Sequence, residues 1–216
     1  MFKSVINFAN PSSLAFLGST DVYGKTPVLP ITEYSSTEVS SFYSQAKLLA
    51  ESKLSQTFAE KIDFLVLRLP GVYGGHGPRY AALDRILEKS KRERQINVSA
   101  GGSLLRGWIY AGEVARFSIG WLKQPNSGTY NFATGESWTI NRDISKCVSE
   151  IGDIRHEIDK VEGLVKCNFG ADHVFDCRDL HAAINGWKFE TCALSLRKYT
   201  NWYHARISES RINLNK

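Results

Sequence analysis

Two apolar runs of strand length, SLAFLGS at 13–19 and DFLVLRLP at 63–70, enclose a run of helix length at 41–59. Within that run Leu48, Leu49, Leu54 and Phe58 form an apolar stripe at helical spacing. The second strand run is continuously apolar, β-branched in character and closed by Pro70 and Gly71. Strands alternating with helices argue for α/β layers around a parallel sheet. In such a fold the helix crossovers bring the C-terminal ends of the strands, and the loops after them, to one edge, where ligands bind. The two most unusual loops, GSTDVYG and PGVYGGHGPR, both follow strands.

The rest of the chain keeps the alternation. SVINFAN reads as the tail of a helix ended by Pro11, and TDVYGKTPVLPITE, with Gly24, Pro27 and Pro30, as a loop. RYAALDRILEKSKR reads as a helix, LLRGWIYAGEVARFSIGWLKQ as a strand or turn entering another, and GTYNFATGESWT as a strand with a loop. TINRDISKCVSEIG is expected to be helical, with Thr139 or Asn141 as N-cap and Gly152 as the stop. RHEIDKVE reads as a strand, CRDLHAAING as a short helix ending at Gly186, and TCALSLRKYTNWYHARI as a closing amphipathic helix.

Composition narrows the function classes. No apolar run approaches the ~20 residues that span a bilayer, and MFKSVINFANPSS lacks the apolar core of a secretory signal. A soluble, cytoplasmic protein with no membrane partner is expected. Cys147, Cys167, Cys177 and Cys192 form no CxxC pair and have no histidine at zinc spacing, so free thiols are expected and no metal site. The formal charge is +5, and its densest run, EKSKRERQ at 88–95, has acids mixed in. That run reads as a solvated helix face rather than a nucleic-acid patch. The basic excess suits an anionic small molecule.

At the start of the helix run 41–59 stand Tyr43 and Lys47, four residues apart and hence on one helix face. A lysine ammonium near a phenol favours the phenolate. A phenol so tuned can exchange a proton near neutral pH. Ser19 ends the preceding strand, where its hydroxyl could bond the same reacting oxygen.

The order of these pieces extends through nearly the whole chain: a strand ending in Ser19, a VYG turn, YSQAKLLAE, FLVLRLPGVYG, RGWIYAGEVA, GTYNFATGESWT and INGWKFETCALSLRKYTNWY. It resembles the extended short-chain dehydrogenase/reductase family, in its NAD-dependent epimerase/dehydratase branch acting on nucleotide sugars. The resemblance implies a partial Rossmann-type parallel sheet with a small mixed α/β substrate-binding lobe. Residues 1–74 would form the catalytic part and 75–216 the lobe, interleaved with the last sheet strands at about 98–135. It implies that Ser19, Tyr43 and Lys47 are the catalytic set: Tyr43 the acid/base, Lys47 also holding the nicotinamide ribose, Ser19 orienting the substrate. Pro70 would open the loop that meets the nicotinamide carboxamide, and Arg106 would bind the substrate diphosphate, a task suited to its bidentate fork. The cofactor implied is NAD or NADP.

The sequence departs from the family pattern in several places. RGWIYAGE replaces most of the usual acids and a histidine, and Gly71 stands where many members carry a substrate-binding asparagine. Asp21 reads as a loop-capping residue with an extra acid as the alternative, and His76 as a loop histidine. No strand–glycine-turn–helix unit precedes the catalytic stretch, so the grip on the pyrophosphate of the cofactor is expected to be lacking. About a hundred residues of the family unit are expected to be missing before Met1. Three readings follow: an enzyme completed by a second chain or another copy, a nucleotide-sugar-binding scaffold, or a truncated product inactive alone. In each, the strand LAFLGS is expected to leave an open, pairing-prone edge.

Overall fold

The computed structural model describes residues 11–24, 28–58, 60–74, 83, 102–144, 146, 171–184 and 187–213, with the backbone alone at 141 and 204–213. The two strand runs form β1 (Ser13–Leu17) and β2 (Asp63–Arg68), joined through helix α1 (Phe42–Phe58). They pair in parallel with Leu17 opposite Leu67, and β5 (Gly128–Asn131) joins the other side of β2, with Asn131 opposite Arg68. The sheet order is β1-β2-β5. Among the described residues nothing pairs with the outer edge of β1, and Leu17 on it is 42% exposed.

The unbroken apolar run of β2 has the reason the sequence suggests: the strand is central and covered on both faces. Leu65 and Leu67 pack with Ile109, Val114, Phe117, Trp121, Phe132 and Leu180, whereas Phe64 and Val66 turn to Leu54 of α1. Burying each such leucine or phenylalanine contributes about 1.5–3 kcal/mol. One charged residue, Arg68, ends this strand and is also buried.

Helix α1 starts at a serine box. Ser41 Oγ accepts from Ser44 N (3.1 Å), and Ser44 Oγ accepts from Ser41 N (3.1 Å), which satisfies amides that would otherwise be orphaned. The expected apolar stripe is corrected at one position. Leu54 is buried and Leu48 and Phe58 are partly buried, but Leu49 is 59% exposed. Adjacent residues on a helix point about 100° apart, so Leu48 and Leu49 cannot share a narrow face. Ser44 and Glu51 complete the inward side instead.

A second, smaller sheet holds β3 (Gly71–Tyr73), β4 (Arg106–Tyr110) and β6 (Ser137–Trp138), in the order β3-β4-β6, parallel then antiparallel. Strand β4 runs straight into α2 (Ala111–Trp121), as RGWIYAGEVA suggests. After β6 the chain makes a single π-helical turn, Ile140–Ile144. Thr139 does stand at its head, with its carbonyl accepting from Asp143 N and Ile144 N. Its own N–H and hydroxyl donate to the Asp143 carboxylate at 2.8 and 2.9 Å. Helix α3 (Arg178–Ala183) is short, and α4 (Cys192–Asn213) runs beyond the expected end at Ile207. Tyr73, Trp108, Leu196 and Tyr199 form the core between α4 and the second sheet.

The N-terminal helix tail, the helix expected at 79–92 apart from buried Leu83, the basic run 88–95, His76, Cys147, Cys167, the strand at 155–162 and Gly186 lie outside the described residues. Cys177 and Cys192 are buried free thiols, and burial pushes Cys177 up to about 11. Among the described residues no helix is long and apolar enough to cross a membrane, and no cluster of His, Cys, Asp or Glu could hold a metal ion.

Candidate active site

The strand ends build the site. Gly18 N donates to Leu67 O (2.8 Å) and Thr20 N to Leu69 O (2.9 Å), so the chain leaving β1 stays tied to β2 through Ser19. Ser19 is extended and buried, and its Oγ accepts from Asp21 N (3.2 Å). It thereby caps the 3-10 turn Thr20–Tyr23, a local arrangement that serine favours. Gly24 closes this turn at φ 58, and a Cβ there would lie 1.9 Å from Glu38 O. The glycine of VYG is thus required twice, by its backbone angle and by the chain passing against it.

Lys47 reaches back to the same strand. Its Nζ donates to Leu17 O (2.8 Å) and lies 5.4 Å from the Phe16 ring centroid and 5.8 Å from that of Tyr43. Gly18 faces β2, so by strand alternation the Leu17 carbonyl faces the outer edge of β1, and Lys47 caps it there. Tyr43 is 54% exposed. The structure therefore brings Tyr43 and Lys47 together at the end of β1, two residues before Ser19. The Ser19 hydroxyl is engaged by its own turn, through Asp21 N.

Arg106 opens β4 and is partly buried, with Nη1 donating to Ala171 O in a short bond. Beside it Leu105 N donates to Asp172 Oδ1 (2.9 Å) and His173 N to Leu105 O (2.9 Å). The Arg106 charge is felt by the Ser19 turn: burial raises the Asp21 carboxyl above its ordinary value, and Arg106 opposes the shift. The imidazole of His173 is buried, with Nε2 3.0 Å from Gly24 O. A carbonyl only accepts, so that nitrogen carries the proton. Burial first, then Arg106, pushes His173 below its ordinary value. Pro70 connects β2 to β3 and stands beside Gly107.

The sequence reading missed a buried polar group under this edge. Arg68 donates to Glu51 through Nε (3.2 Å) and, in a short bond, through Nη2, and its Nη1 donates to Tyr23 Oη (2.7 Å) and Glu33 O (3.1 Å). Tyr23 Oη donates to Asn131 Oδ1 (2.7 Å), and Asn131 N to Glu33 Oε1 (2.6 Å). Burial pushes the Tyr23 phenol up to about 12 against the pull of Arg68, so it is protonated and able to donate. Two signals stood in the sequence. An arginine inside LVLRLP must have a partner if that strand is buried, and Glu51 follows Lys47 by one helical turn.

The parallel β1-β2-β5 sheet with its crossover helix and the smaller mixed sheet define a Rossmann-like α/β protein with its candidate site at the strand ends. A family model described as NAD dependent epimerase/dehydratase family matches residues 4–133, and the chain belongs to that family. Among curated proteins none matches. Solved structures with the same fold include a UDP-N-acetylglucosamine 4-epimerase from Methanobrevibacter ruminantium M1 in complex with UDP-N-acetylmuramic acid. It is 23% identical at a TM-score of 0.76, over 94% of this chain and 66% of that one. A UDP-glucose 4-epimerase from Stenotrophomonas maltophila with bound NAD and formylated UDP-arabinopyranose is 19% identical at 0.82, over 96% and 68%. RMD from Pseudomonas aeruginosa, complexed with NADPH, is 22% identical at 0.77, over 94% and 71%. At these identities the likeness is one of fold, and the chain spans about two thirds of the length of these structures.

Proposed function

We propose that this chain carries the proton-transfer and substrate-holding part of an NAD(P)-dependent epimerase/dehydratase acting on a nucleotide sugar. The observation that carries the reading is the placement of Lys47 between the Tyr43 ring and the end of β1, two residues from Ser19. Tyr43 is the acid/base on a sugar hydroxyl, and its exposure leaves the phenol open to a ligand. Lys47 holds the nicotinamide ribose as well as the phenol, and Ser19 orients the sugar oxygen. NAD or NADP, when bound, accepts and returns the hydride. The phenol of Tyr43 and the ammonium of Lys47 beside it suit the nicotinamide end of that cofactor, and the backbone after Pro70 would meet its carboxamide. Arg106 holds the diphosphate, and its influence on Asp21 puts the two in one electrostatic neighbourhood.

Residues 1–216 contain no strand–glycine-turn–helix unit that would hold a pyrophosphate through free amides, so the pyrophosphate end of the cofactor is assigned to none of them. The outer edge of β1, unpaired among the described residues, favours pairing with another chain or a second copy, because unpaired strand edges recruit strands. Titration calorimetry with UDP-glucose, dTDP-glucose and NAD tests these statements. Arg106→Ala is expected to weaken nucleotide-sugar binding at least about tenfold, near 1.4 kcal/mol. Binding that ignores Arg106, or no binding of either sugar nucleotide, overturns the reading.

A further inference from the structure

The two segments that carry the candidate catalytic groups, the Ser19 turn and helix α1, are separate in sequence. One side chain from a third segment, the end of β2, touches both. Arg68 is the last residue of β2 and lies at the edge where the strands open. One side of its guanidinium grips Glu51, which sits one turn after Lys47 and two after Tyr43 along the same helix face. Its other terminal nitrogen donates to Tyr23 Oη, the final residue of the turn capped by Ser19, and to Glu33 O. The guanidinium carbon also lies 5.1 Å from the Tyr23 ring centroid. Tyr23 spends its own proton on Asn131 Oδ1, which leaves its oxygen lone pairs for Arg68.

We infer that Arg68 is a positioning residue that holds the Ser19 turn in register with the Tyr43–Lys47 helix. The inference rests on the functional reading above for what is being positioned. Arginine suits this role because its donors lie in one rigid plane. The helix cannot slide along β2, nor the turn lift from it, without breaking charge-assisted bonds. Lysine at this position keeps the charge but offers no fork. Arg68 and Glu51 are 7% and 8% exposed and Tyr23 and Asn131 are fully buried, so water cannot replace a lost bond. A backbone bond, Glu38 N to Val22 O (3.0 Å), also fastens the turn, but to the segment before the helix rather than to the face that carries Lys47.

Amide hydrogen exchange of the whole chain tests the register. Glu51→Gln alters the helix end of the bridge and lies away from the turn. It is expected to speed exchange of the Thr20–Gly24 amides about tenfold relative to the amides of 118–122. Arg68→Lys is expected to do the same and so fail to rescue. Leu54→Ala, a buried change in α1 outside the bridge, serves as the control that lowers stability only. It is expected to leave the ratio between the two segments unchanged. The inference is overturned if Glu51→Gln and Arg68→Lys leave the turn as protected as in the parent protein. It is equally overturned if Leu54→Ala loosens the turn by the same ratio. Failure of the parent protein to bind any nucleotide sugar, with the exchange coupling intact, removes the catalytic reading and leaves the register.

Discussion

Position 71 shows how one missing side chain reshapes a site. The family resemblance leads one to expect a substrate-binding asparagine here, and the chain has glycine. A side chain would be crowded: a Cβ at 71 would lie 3.1 Å from Trp108 Cε3, 3.3 Å from Cζ3 and 3.3 Å from Gly107 O. The indole is itself buried and held by its Nε1–H on Trp138 O (3.3 Å), so it has little room to yield. Gly71→Asn is therefore expected to destabilise the fold by about 1–3 kcal/mol through overpacking. It should not tighten nucleotide-sugar binding. A urea midpoint equal to that of the parent, or a gain in affinity by calorimetry, would show that the indole is not the obstacle.

Among the elements, the βαβ unit was legible because its physics is local. Continuous apolar runs mark β2, and apolar residues at helical spacing mark α1. The error at Leu49 is one of helix geometry, since Leu48 and Leu49 point about 100° apart. The silence on Glu51 has another cause: Arg68 reaches it from β2, and a partner on another element leaves no trace in helical periodicity. The bridge makes its own energetic prediction. Arg68→Met or Glu51→Leu alone leaves a buried, unpaired partner and is expected to cost about 3–5 kcal/mol. The double variant Arg68→Met/Glu51→Leu removes both charges. It should fall short of the sum by about 1–3 kcal/mol in a double-mutant cycle read by denaturation. Additive losses would mean that the two groups stabilise the fold independently.

At the scale of the molecule, what was legible was the order of motifs, and what was not was how the two sheets are held against each other. Ser19, Tyr43, Lys47 and Arg106 were singled out by the family resemblance that this order carries, and their roles belong to the proposal above. His173 was not singled out, because Gly24 and Leu105, to which it bonds, lie far from it in the chain and contribute backbone atoms. Yet His173 joins the turn after β1 to the entry of β4, and it does so in the neutral form. Burial and then Arg106 hold its pKa below 6.5, with Gly24 O and Asp172 pulling the other way. The sign follows from linkage. As pH falls below 6.5, the unfolded chain takes up a proton before the folded one does, so stability is lost from there down through the lower folded value. Asp21, whose folded pKa is raised above 3.8, acts in the opposite sense, losing stability as pH rises from 3.8 through that raised value. The contribution of His173 is isolated by comparing the parent protein with His173→Gln, which cannot titrate. From about pH 7.5 to about pH 5.5 the urea midpoint of the parent is expected to fall by more than that of the variant. Equal slopes in the two proteins would show that the His173 bridge survives protonation.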